Sequence, residues 1–224
     1  MPLPLAVDEA PNPWLSWAYL HDNAAAILAA TREHVTLTLL SVAFGLLLAL
    51  PLALLARRSA RLEALVVGAA GVLYTIPSLA LFAVLAPVTG LTRTTVVIGL
   101  TSYTLLVLVR NVLTGLQEVP ADVVEAARGM GLGPGRLLLR VQLPLALPSI
   151  LAGLRVATVS TVALVTVGAV VSNGGLGQLI LEGFNNNFYR AEILTATLLC
   201  VLLAAVADLL LLGLERLLTP WVRR

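Results

Sequence analysis

Apolar residues dominate five long blocks of the chain, at residues 34–56, 64–87, 94–116, 148–171 and 193–214, with charged residues gathered between them. A helix needs about 20 mostly apolar residues to cross a bilayer core. Each block reaches that length, so the pattern predicts an all-α, polytopic bundle of about five spanning helices. Residues 14–30 do not qualify, because His21, Asp22 and Asn23 interrupt their apolar run. No basic stretch precedes them, as one would in a signal peptide. Trp14, Trp17 and Tyr19 suit a segment lying at the membrane interface. The expected division is an interfacial segment at 1–32 outside the cell and a membrane domain at 33–224.

Composition agrees and excludes several classes. The 224 residues are 59% hydrophobic and only 12% charged, with a mean hydropathy of +0.97. Soluble domains carry about 25% charged residues, so a soluble enzyme and a disordered chain are both excluded. His21 and His34 lie far from each other at ligand spacing and far from the single Cys200. No metal centre, cofactor or intrachain disulfide is expected from that inventory. Both His fall near the outer interface, so no nucleophilic Ser inside the membrane has a His base, which argues against a membrane hydrolase. All 14 basic residues are Arg, and a chain without Lys has no phosphate-binding loop of the Gly-x-x-x-x-Gly-Lys-Ser/Thr kind. Asp208 is the one carboxylate well inside an apolar block, and no inverted halves are visible. Both points argue against an ion-coupled secondary transporter. No nucleic-acid partner is expected.

Arginine placement predicts orientation. Arg57, Arg58 and Arg61, then Arg128, Arg136 and Arg140, then Arg216, Arg223 and Arg224 fall on one side of a five-span chain. The other side has only Arg32, Arg93 and Arg190, beside Asp8, Glu9, Asp22, Glu33, Glu182 and Glu192. The N-terminus is therefore expected outside and the C-terminus in the cytosol.

The long polar connection at 117–147 carries the sharpest signal. Asp122 to Gly129 favours a helix with acidic residues early. Gly129, Gly131, Gly133, Pro134 and Gly135 then break it, and a second short helix at 136–141 is expected to be limited by Pro144 and Pro148. The pattern Glu125-Ala126-Ala127, three residues, Gly131, nine residues, Val141, one residue, Leu143-Pro144 resembles the loop signature of ABC importer permeases. The resemblance implies the type I permease fold and a coupling helix that docks into a separate ATPase subunit. It also implies an extracytoplasmic binding protein, and a second permease copy or homologue in the surrounding lipid. Small residues at these positions allow close approach to a partner surface, and Glu125 offers it a charge.

Three further segments resemble the osmoprotectant branch of that family, which imports glycine betaine, carnitine, choline and similar amines. They are Tyr74-Thr75-Ile76-Pro77-Ser78-Leu79, Arg110-Asn111-Val112-Leu113-Thr114-Gly115, and Asn173-Gly174-Gly175-Leu176-Gly177. The last also resembles methionine-type permeases, which stay open as an alternative. Pro77 predicts a kink whose freed carbonyl needs a partner inside the membrane. Tyr74, Thr75 and Ser78, with Thr101, Ser102 and Tyr103, are candidates for a wet path, and packing alone is the other reading. Gly174, Gly175 and Gly177 are placed in an irregular outer turn, followed by a re-entrant or surface piece at 178–190. Arg110, Arg155 and Asp208 are expected at one depth, ~10 Å inside the cytosolic boundary. There Asp208 can pair with one or both arginines, as a gate latch or as a static pair.

Overall fold

A computed structural model describes residues 12–172 and 174–223, and every element among them is helical. Asp8, Glu9, Asn173 and Arg224, and the side chain of Arg223, lie outside the described residues. In chain order the helices are α1 (Trp17–Asp22), α2 (Ala24–Ala56), α3 (Ala60–Thr75), α4 (Ser78–Thr89), α5 (Arg93–Gln117) and α6 (Ala121–Gly129). They continue with α7 (Pro134–Leu137), a π-helical turn (Leu138–Gln142), α8 (Leu143–Ser172), α9 (Leu176–Asn185) and α10 (Arg190–Leu218).

Helix α5 is the central post, packed by α2, α3, α4 and α8. Toward the bundle α2 buries Leu37, Ser41, Gly45, Ala49 and Ala53, one residue in every four. Leaving lipid gains an apolar side chain little, so helices there associate through close, small-residue seams. Thr104 of α5 occupies the space that a side chain on Gly45 would need. On the other flank of α5, a Cβ on Gly115 would stand 2.8 Å from the Ala146 carbonyl oxygen of α8.

Three boundaries differ from the sequence expectation. The first spanning helix starts at Ala24, not near residue 34. The polar trio does interrupt the chain, but Asn23 ends α1 and opens α2 at once, and the alanines that follow are strong helix formers. At 33 residues α2 is about 50 Å long, well beyond a bilayer core of about 30 Å.

The second block is not one span. Helices α3 and α4, of 16 and 12 residues, meet at 96°. Pro77 has no N–H to continue the ladder and forces Ile76 into the extended region (φ −67°, ψ 127°). Among the described residues four helices are long and apolar enough to cross a membrane, and the bent pair makes a fifth crossing only if both arms count together.

The prolines of the fourth block do not stop a helix either. α7, the π turn and α8 run on from Pro134 to Ser172. Pro144 lies just after the widened π turn, which contains Arg140, the residue whose carbonyl its ring would strike in a regular helix. Finally, α10 buries only Ala191, Glu192, Thr195 and Ala196 near its start, and Leu198, Val201, Leu202, Val206, Leu209 and Leu210 stay exposed for lipid.

Candidate functional site

At one end of the bundle, α6 and the start of α7 form an elbow. Pro120 opens α6 with φ −57°. Its end is a complete Schellman cap, in which Leu132 N–H donates to the Ala127 carbonyl at 3.2 Å and Gly131 N–H to Arg128 at 2.9 Å. Gly131 holds φ +81° with nothing within 4 Å of where a Cβ would stand. The glycine of the signature is thus required by backbone geometry, not by crowding.

The signature residues divide into two jobs. Ala127 is 2% exposed and seats α6 on the bundle, whereas Glu125 and Ala126 face outward beside Met130, which is 74% exposed. Leu143 packs on the central core, with Val141 and Pro144 half-buried behind it. Side chains tie the elbow down. Arg57 donates to Gln142 Oε1 at 3.1 Å, and Ser149 to Glu118 Oε2 at 2.9 Å. The expected helix–turn–helix is present, but its second arm is the first turn of a 39-residue helix.

The break in the second block brings its flanking residues to α5. The Tyr103 hydroxyl donates to the Ile76 carbonyl, and the Thr75 hydroxyl to Val72 at 2.7 Å. These two donors serve backbone acceptors beside the break. The Tyr74 ring meets Tyr103 edge-on, centroids 5.9 Å apart, and is 46% exposed. Tyr74, exposed Pro77 and half-buried Ser78 thus flank one corner, with Tyr103 as its floor. Thr101 and Ser102 do not join them. They line a separate groove of about 530 Å³ between α2 and α5. Asn111 packs against Gly153 of α8 and donates to the Val107 carbonyl at 2.8 Å, a helix-packing position.

The three intramembrane charges are only partly brought together. Arg155 grips Asp208 with two parallel bonds, Nε to Oδ1 at 2.9 Å and Nη2 to Oδ2 at 3.0 Å. Its Nη1 reaches Glu215 at 3.3 Å. Glu215 escapes a sequence reading because it stands at the end of its apolar block, yet it is two helical turns from Asp208 on the same face. Arg110 is exposed and forms no ion pair with any described residue, so of the two alternatives left open for Asp208 the structure has the pair with Arg155 alone.

At the opposite end α8 folds back into α9. Gly175 holds φ +76°, and Gly177 lies against the Thr166 backbone, 2.6 Å from a built Cβ to its Cα. Gly174 sits beside Glu33, which pairs with Arg93 at 2.6 Å. His34, fully buried, joins three helices. Its Nε2–H donates to the Val162 carbonyl at 3.0 Å, while Nδ1 accepts from Leu176 N–H at 3.3 Å. Those two bonds fix a singly protonated ring. No periodicity or motif pointed to this role. No group of three metal-ligating side chains occurs among the described residues.

A helical membrane bundle with a capped elbow at one end and a folded-back helix at the other has the build of an ABC importer's permease subunit. Residues 41–224 match the family described as binding-protein-dependent transport system inner membrane component, and the chain belongs to that family. Among curated relatives, the choline transport system permease protein OpuBB of Bacillus subtilis is 34% identical over 203 residues, 90% of this chain and 93% of the relative. The glycine betaine/carnitine/choline permease OpuCD of the same organism is 37% identical over 202 residues, 90% of this chain and 88% of its own. The osmoprotectant import permease OsmW of Salmonella typhimurium is 38% identical over 207 residues, 90% and 96% respectively. The fold is that of the inward-facing MetNI methionine ABC transporter, with TM-score 0.78, 24% identity and 88% and 98% coverage. An amino acid ABC transporter structure gives TM-score 0.66 at 19% identity, covering 90% and 98%.

Proposed function

We propose that this permease subunit passes quaternary-amine osmoprotectants, such as glycine betaine, choline or carnitine, into the cell. The observation that carries the coupling part of this reading is the elbow. It is a short, rigidly capped helix whose Glu125–Ala126 face is free, while Ala127 anchors it to a helix running through the bundle. An ATPase subunit docks on that face and hydrolyses the ATP, in keeping with a chain that has no Lys for a phosphate-binding loop. The elbow end is cytosolic and the α9 end with α1 is extracytoplasmic, a reading supported by the arginine bias. There a binding protein delivers the substrate. A second permease, either a copy or a homologue, completes the path.

The path runs past the bent corner at Tyr74, Pro77 and Ser78. A tyrosine face exposed at a helix break suits a methylated ammonium, which it attracts by cation–π interaction. The substrate class is supported by the names of the curated relatives at 34–38% identity. Likeness to the methionine transporter is confined to the fold.

A reconstituted complex with its ATPase and binding protein tests the reading. Betaine-loaded binding protein should stimulate ATP hydrolysis at least several-fold over empty binding protein. Stimulation by a methionine-loaded protein but not by a betaine-loaded one would reassign the substrate.

A further inference from the structure

The α9 end carries a pocket that the transport reading leaves unused. It measures about 380 Å³, and its lining includes Ser16, Tyr19, Asp22, Asn186, Tyr189 and Glu192. Four segments line it: the residues before α1, α1 itself, the α9–α10 turn and the first turn of α10. The strap is held in place, because Asn12 donates to the Phe188 carbonyl at 2.9 Å and accepts from Arg190 N–H at 2.8 Å.

Its walls have a specific chemistry. The rings of Tyr19 and Tyr189 stand 5.5 Å apart at 76°. Two nearly perpendicular aromatic walls are the corner of a cage for a methylated cation. Glu192 is only 8% exposed, lies beside the Tyr19 hydroxyl, and has no ion-pair partner among the described residues. A buried carboxylate without a counter-charge is costly, and a cation in the adjoining space removes that cost.

The protein's own nearby cation does not fill the role. Arg190 stacks on Trp14, 5.1 Å from the ring centroid. His21 sits outside, beside Asp22 at 3.2 Å and 91% exposed. Glu182, the remaining charge in the neighbourhood, accepts from Gln178 at 2.9 Å and adds negative potential. Burial, then the Glu192 charge, pushes the Tyr19 phenol above its ordinary range, so its ring stays uncharged at working pH.

We propose that this pocket binds a small quaternary ammonium cation at the extracytoplasmic surface, with Tyr19 and Tyr189 against its methyl groups and Glu192 and Asp22 opposing its charge. The choice of ligand rests on the osmoprotectant reading. The site bears two carboxylates and no free cation among its lining residues. It therefore prefers choline and tetramethylammonium to glycine betaine, whose own carboxylate is repelled.

The test is equilibrium binding of labelled choline to the permease–ATPase complex in nanodiscs, without binding protein and with tetramethylammonium as competitor. Saturable, competed binding is expected. Glu192→Gln and Tyr189→Leu should each weaken it about tenfold, and Tyr189→Phe should retain it. The melting temperature of each complex checks folding, so either substitution alone carries the test. Absence of saturable binding, or binding unchanged by both substitutions, overturns the proposal. So does a Glu192→Gln complex that loses affinity for the binding protein while wild type binds no choline, because the pocket is then a socket for a basic side chain. Uptake into proteoliposomes that hold the same complex, with ATP and its binding protein supplied, separates the two readings. Transport without choline binding refutes the site alone, whereas choline binding without any osmoprotectant uptake supports the site and refutes the transport reading.

Discussion

His34 offers the clearest numerical prediction. Replacement by Leu keeps an apolar side chain of similar size but removes both of the ring's bonds. The Leu176 amide, in the first turn of α9, then has no acceptor in a buried site, a loss of about 1–3 kcal/mol. The bond to Val162 inside the bundle adds roughly 0.6–2 kcal/mol. The total of about 1.6–5 kcal/mol corresponds to a fall in melting temperature of roughly 3–20 °C for a chain of this size. His34→Asn places a carbonyl oxygen near the position of Nδ1, so it keeps the Leu176 bond and should lose only about half as much. Thermal unfolding of the purified complex reads the totals. Hydrogen exchange reads the site, and the Leu176 amide should exchange faster in the Leu variant than in the Asn variant. A Leu variant that melts within about 1 °C of wild type, or an Asn variant as damaged as the Leu one, would refute the reasoning.

Other substitutions separate fold from coupling. Ala126→Arg, on the free face of α6, should leave the melting temperature unchanged but abolish co-purification of the ATPase, whereas Ala127→Arg should lower the folded yield itself; identical behaviour would undo the assignment of faces. Gly131→Asp demands a left-handed conformation from a side-chain-bearing residue at a cost of about 1 kcal/mol, and should permit membrane insertion while coupled uptake falls at least tenfold. Asp208→Asn should leave membrane levels unchanged because Glu215 still holds Arg155, while Asp208→Asn with Glu215→Gln strands that charge and should lower them; equal levels in both would show that the cluster is not structural. Tyr103→Phe withdraws the donor from the Ile76 carbonyl and should lower stability by about 1 kcal/mol, with unchanged stability contradicting the role given to Tyr103.

The apolar blocks announced most of the membrane helices because lipid imposes a length on any helix that crosses it. Helices α5 and α10 lie within four residues of the blocks that predicted them. The elbow was legible for a related reason. Gly131 is a backbone requirement, and such requirements leave fixed residue types at fixed spacing. What stayed hidden depended on contacts across the bundle. Pro77 foretold a kink, but a 96° turn needed Tyr103, 26 residues on, to serve the Ile76 carbonyl. Pro144 looked like a stop until the π turn before it made room for its ring. Arg110 and Arg155 are equally apolar in context, and only packing reveals that one is exposed and the other held by two carboxylates. His34 has no motif at all, since its partners lie 128 and 142 residues away.

The central claim is import of a quaternary amine by a complex built on this chain. Its most direct test is uptake of labelled glycine betaine by a host lacking its own osmolyte importers and expressing this permease with its ATPase and binding protein, before and after a salt upshift. The account predicts ATP-dependent uptake that choline or carnitine competes away. No uptake of any of these amines, from a complex correctly inserted and bound to its ATPase, would contradict it.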